Sequence, residues 1–282
     1  MPTFDTPDPI SATISLSFVA GNVRIIASDR GDTTVDVRPM DASSKADLKV
    51  AEQTRVEYAD GTLTVRVPKQ LSALFGRTGG VDVTIELPSG SQVQGDTGMG
   101  EFHCEGRFGE CRLKSGYGPI RLDQAGPVHL NSGFGDVIVS GVDGGAEVTT
   151  GSGAVRIGRI DGPARVKNSN GDSWIGEVTG DLRVNAANGN ISVDRAHAGV
   201  TAKTASGGVR IGEVTRGAVA VETAAGSLDV GISAGTAAWL ELKTSAGRVR
   251  NELSTTPAPD STDQTVEVRA RTSAGDIIIR RA

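Results

Sequence analysis

Apolar and polar positions alternate along most of this chain in short runs, and the runs return at a nearly fixed interval. A glycine precedes each: Gly100, Gly118, Gly135, Gly153, Gly171, Gly189, Gly207, Gly226, Gly247 and Gly275, at steps of 18, 17, 18, 18, 18, 18, 19, 21 and 28 residues. Two and four positions after the glycine stand apolar residues, as in Ile120 and Leu122, Val155 and Ile157, or Val209 and Ile211. This period of two predicts a strand with one face buried. An apolar plug such as Ile160, Val178 or Val214 follows, then a turn such as Asp143-Gly144, Asp161-Gly162 or Arg216-Gly217. A second alternating strand comes next, with Ala164 and Val166 or Val219 and Val221 facing inward. A polar turn then leads to the next glycine.

Two short strands and two turns make one thin rung, which cannot bury its apolar face alone. Stacked rungs close a shared core and pair each strand with its equivalents above and below. The pattern predicts an all-β chain: a β-solenoid, parallel β-helix or β-roll-like, of about ten rungs of ~18 residues. At a spacing of about 4.8 Å, ten rungs would form a rod of roughly 45 Å. A meander of hairpins is the competing layout. In the stack Thr150, Asn168, Thr204, Thr223, Thr244 and Thr272 are equivalent, as are Asn170 and Asn188. Such columns bond either like neighbours along the axis or their own turn backbone.

Residues 1–95 differ. Phe18 to Ile25 is a divergent copy of the rung motif, Lys45 to Gln53 reads as a short helix, and Arg55 to Val67 as a hairpin turning at Asp60-Gly61. Val81 to Leu87 is a further strand. The expected division is an N-terminal β-rich capping region, 1–95, and a solenoid domain, 96–282, with a polar, proline-bearing insertion at 254–265. Taken in chain order, the rung ending in Arg280-Arg281 would be the outermost, its charges blocking edge-to-edge joining.

The recurring [TS]-x-x-G-x-[VI]-x-[IVL] element, with "VDVTIELPSGSQV" before it and "TSAGDIIIRR" at the end, resembles a bacterial family of β-strand-repeat proteins named "putative adhesin", a domain of unknown function. The resemblance covers nearly the whole chain. It implies a β-solenoid fold and brings no catalytic residues.

Composition narrows the picture. Aromatic content is 4%, and there are 38 glycines in 282 residues, which suits a narrow core of small residues. A net charge of −5 provides no overall basic field for nucleic acid. The first residues hold no basic segment followed by an apolar core, and no apolar run reaches the length of a membrane span. The expected location is therefore cytoplasmic, with the cell surface by an unrecognised route as the alternative. Cys104 and Cys111 occupy inward strand positions and read as buried thiols, a disulfide being the alternative in an exported protein. Gly116-Tyr117-Gly118 and Gly151-Ser152-Gly153 precede strands, not helices, so they read as turns and not phosphate loops. Gly133 to Asp136, Gly171-Asp172 and Gly275-Asp276 lack the nonapeptide spacing of calcium-binding turns. No cofactor, metal or catalytic residue is expected.

The outward column of strand one, three residues after each glycine, carries the candidate chemistry: His103, Arg121, Ile138, Arg156, Trp174, Ser192, Arg210, Asp229, Arg250 and Ile278. An exposed tryptophan among arginines suits contact with a protein or glycan. Arg121, Arg156, Trp174 and Arg210 are the candidate binding residues. Carboxylates are too sparse there for the paired-acid chemistry of glycoside cleavage. Arg112, Lys114, Arg165, Lys167, Arg183, Lys203 and Lys243, interrupted by Glu147, Glu222 and Glu241, read as a solvated face without aromatic partners for nucleic acid. The sequence favours a non-catalytic scaffold or binding protein for a protein or polymeric partner, itself able to form homo-oligomers. The alternatives are an exported adhesin-like module and a carbohydrate-active β-helix enzyme.

Overall fold

A computed structural model describes residues 2–68, 79–253 and 264–282. Residues 254–263 of the expected insertion lie outside the described residues. The chain forms two compact units, 1–143 and 144–282.

In the first unit, strand β1 (Thr3–Asp5) leads to the 18-residue β2 (Ser11–Ser28). The two halves of β2 serve different columns. Its first half pairs in parallel with β5 (Thr62–Arg66) and β7 (Gln92–Met99). Its second half pairs with β6 (Gly80–Pro88) and β8 (Phe102–Phe108). The Phe18–Ile25 stretch thus takes a rung's place, with Val23 and Ile25 in register with Phe102 and Cys104. The columns continue through β9 (Cys111–Tyr117), β10 (Ile120–Ala125), β11 (Val128–Phe134) and β12 (Val137–Val142). Three antiparallel pairings close the other side: β4 (Arg55–Ala59) lies on β5, and β3 (Asp32–Pro39) lies between β1 and β6. The helix α1 (Lys45–Gln53) begins where the side chain of Ser44 accepts from the Asp47 N–H, and buries Val50. The predicted helix, hairpin and strand are all present.

Cys104 and Cys111 are free and fully buried. Desolvation pushes the Cys104 thiol well up and the Cys111 thiol up to about 12. At pH 8 roughly one Cys111 in ten thousand is then thiolate. Ellman's reagent is expected to leave both thiols unmodified in the folded protein and to titrate both in denaturant. Rapid modification of the folded protein would contradict this burial.

The second unit holds β13 (Ala146–Ser152) through β26 (Ile277–Arg281). One column is β14 (Val155–Ile160), β16 (Ser173–Val178), β18 (Ile191–Ala196), β20 (Val209–Val214) and β22 (Leu228–Ile232). The other is β13, β15 (Ala164–Asn170), β17 (Leu182–Asn188), β19 (Val200–Ser206) and β21 (Gly217–Ala225). All pair in parallel, equivalent residue on equivalent residue. The plugs Ile160, Val178 and Val214 are fully buried. The threonine column bonds in its own way. Thr204, Thr223 and Asn168 donate to the carbonyl oxygens of Gly189, Gly207 and Gly153, the ladder glycines one rung away, at 3.2, 2.9 and 3.1 Å. Asn188 does bond its like neighbour, donating to Asn170 Oδ1 at 2.9 Å.

Chain order fails at the end. β25 (Thr265–Ala274) lies between β21 and β23 (Ala237–Ala246), and β26 lies between β22 and β24 (Val249–Asn251). The outermost rung is therefore 237–251, and the expectation that the Arg280-Arg281 rung is terminal is corrected. The hydroxyl bonds follow the same order: Thr272 donates to Gly226 O and Thr244 to Gly275 O. The physical reason lies in the inward positions. Asn251 stands in register with Ile279. Sandwiched between rungs, its amide would need partners that an apolar core lacks. Ile277 and Ile279 suit the doubly covered place and are fully buried there. Trp239 is exposed on the outermost rung.

Candidate functional site

Parallel register converts sequence spacing into a straight row. On the outer face of the second unit Arg156, Trp174, Ser192, Arg210 and Asp229 stand opposite one another on successive strands. Each step is about 4.8 Å, so Arg156 and Arg210 lie roughly 14 Å apart, measured along the strand stack. An open groove of about 900 Å³ runs past all five. Its turn-side rim is a polar ladder. Asp172 Oδ1 accepts from the backbone N–H of Asn190 at 2.8 Å, and Asn190 Oδ1 accepts from that of Gly208 at 2.9 Å. These bonds hold the rim without using side chains of the row.

Trp174 is 38% exposed. Its indole leans over Gly176, where a Cβ would come within 3.2 Å of the ring. The ring is thus supported by backbone on one side and wet on the other. Three residues further along, Arg159, Glu177, Arg195 and Glu213 stack with alternating charge. Glu177 is paired with His197 at 2.8 Å and with Arg195 at 3.8 Å. The hydrogen bond from His197 holds the Glu177 carboxyl below its usual range. Arg156 and Arg210 have no such carboxylate among the described residues. Asp229, the acid next to Arg210, is held instead by Arg280 Nε at 3.0 Å. The groove therefore presents two guanidiniums outside any ion pair among the described residues, beside one tryptophan and the rim carboxylate of Asp172, and the guanidiniums suit carboxylate or phosphate groups on an extended chain.

Of the four candidate residues the structure brings Arg156, Trp174 and Arg210 to one groove. Arg121 lies on β10 in the other unit, bonded to Glu101 at 3.0 Å. A feature that the sequence analysis missed lies in the first unit. Met99, Tyr117 and Phe134, each the residue before a ladder glycine, stand in register and are half exposed. The Tyr117 and Phe134 rings stack at 4.9 Å. Their common offset from the glycine was the available signal. Among the described residues no group of three His, Cys, Asp or Glu is placed to hold a metal ion, and no helix is long and apolar enough to cross a membrane.

The fold and this row define a parallel β-solenoid whose flat face displays side chains in straight columns. Residues 11–280 match the Toastrack DUF4097 family, and the chain belongs to it. No curated protein matches. Among solved structures the chain is similar to a "putative adhesin" from Parabacteroides merdae, at 13% identity and a TM-score of 0.48, over 81% of this chain and 94% of that one. It is similar to a "putative lipid binding protein" from Parabacteroides distasonis, at 11% identity and a TM-score of 0.41, over 98% and 95%. A "putative adhesin" from the same species matches at 14% identity and a TM-score of 0.31, over 98% and 95%.

Proposed function

We propose that this protein is a non-catalytic scaffold that binds an extended, negatively charged partner, protein or polysaccharide, along the Arg156–Trp174–Arg210 groove. The observation that carries the reading is the pair of guanidiniums without carboxylate partners on either side of an exposed tryptophan. Rungs fix the spacing of these groups before any ligand arrives, which lowers the ordering cost of binding. The one acid in the row, Asp229, is tied to Arg280. The row thus lacks a free pair of carboxylates for acid–base cleavage.

The test is capture of partners from a native lysate by the wild type, Trp174→Ala and the Arg156→Ala/Arg210→Ala double variant. Trp174→Ala is expected to weaken capture by about 2 kcal/mol, or roughly thirtyfold. The double variant is expected to remove the salt dependence as well. Equal capture by all three proteins would rule out the groove.

A further inference from the structure

The intercalated order leaves the rung 237–251 at the end of the second unit, and its outer side is uncovered among the described residues. β23 and β24 each have one strand neighbour, β25 and β26. Leu240 and Leu242 occupy inward positions whose equivalents Val268 and Ala270 are fully buried, yet both remain partly exposed. Val249, equivalent to the fully buried Ile277, is 46% exposed. The first unit shows the contrast: there antiparallel strands β3 and β4 cover the outer strands. An open strand edge of ten residues beside uncovered leucines is a template for another strand.

We propose that this edge pairs with the same edge of a second copy of the chain, through an antiparallel β23–β23 contact about a two-fold axis at Leu242. The strand is self-complementary in that register. Glu241 stands opposite Lys243 of the copy and Lys243 opposite Glu241, two favourable cross-strand pairs from one axis. Leu240 faces Thr244, Leu242 faces its own copy, and Trp239 faces Ser245, so inward residues meet inward residues and outward residues meet outward ones. Glu241 already draws Arg269 and Arg271 of its own chain toward this edge, and the copy's Lys243 adds a cation from the open side. A slip of one residue would set outward Glu241 against inward Leu242, and a slip of two would set Glu241 against Glu241 or Lys243 against Lys243, so the neighbouring registers are disfavoured.

The experiment measures the mass of the full chain in solution by light scattering across a wide concentration range. The wild type is expected to form a dimer as concentration rises. Lys243→Glu and Glu241→Lys each place like charges across the axis, and each is expected to weaken the dimer about tenfold or more. Mixed in equal amounts, these two variants face each other with opposite charges at both positions and are expected to restore the dimer as a heterodimer. Hydrogen exchange at the β23 amides should slow as the dimer forms. A wild type that stays monomeric at every concentration overturns the proposal, as does a dimer that neither charge change weakens. Protected β23 amides in a monomer would overturn it too, since the chain would then cover its own edge.

Discussion

Gly207→Ala is expected to destabilise the protein by about 3 kcal/mol or more, seen as a lower urea midpoint or as failure to accumulate folded protein. Two effects combine. Gly207 has a φ of +142°, a conformation that residues with a Cβ rarely adopt. An added Cβ would also lie 2.1 Å from the carbonyl oxygen of Gly189, the equivalent residue one rung away. That oxygen accepts from Thr204 at 3.2 Å, so it is not free to retreat. The strand spacing itself sets the clash, and relief requires rungs to separate. Gly118 is built alike, with a φ of +138° and 2.0 Å to Gly100 O. Gly235 provides the control. Its φ is +81° but nothing lies within 4 Å of an added Cβ. Asparagine visits that conformation readily, so Gly235→Asn is expected to cost less than about 1 kcal/mol. Equal losses for Gly207→Ala and Gly235→Asn would show that backbone conformation, and not rung contact, sets the requirement.

Ile279→Ala is expected to cost about 2–4 kcal/mol, while Val249→Ala changes stability by no more than about 0.5 kcal/mol. The two positions test the order of rungs. Stacked in chain order, Val249 would be interior and Ile279 terminal. In the structure Ile279 is fully buried and Val249 is 46% exposed. Equilibrium unfolding of the two variants measures the difference. A larger loss at Val249 would restore chain order and remove the open edge at β23.

The repeat was legible because a rung's core positions lie close together in sequence. Val155 and Ile157 or Val209 and Ile211 announce a half-buried strand by alternation alone. The ladder glycine announces a close backbone approach by its recurrence. The outward column was legible for the same reason: in-register parallel stacking turns an interval of 18 residues into a neighbour. It placed Arg156, Trp174 and Arg210 in one row correctly. It did not show that Arg121 is occupied by Glu101, or that Asp229 is taken up by Arg280. Those pairings depend on which rung lies next door and which way long side chains turn. The exposed row of Met99, Tyr117 and Phe134 was equally periodic, but its residue types differ, so it lacked a motif.

Alternation, glycine recurrence and turn chemistry act over a few residues. By themselves they determined the all-β class, the inward and outward faces, and the equivalence of positions between rungs. The order of rungs in space was decided only by the tertiary structure. Equivalent rungs offer one another nearly the same backbone bonds, so local pattern cannot choose between them. The choice falls to burial, where Ile277 and Ile279 gain from being covered on both sides and Asn251 does not. That balance sets the 265–281 rung inside the stack and leaves the 237–251 rung as its open end.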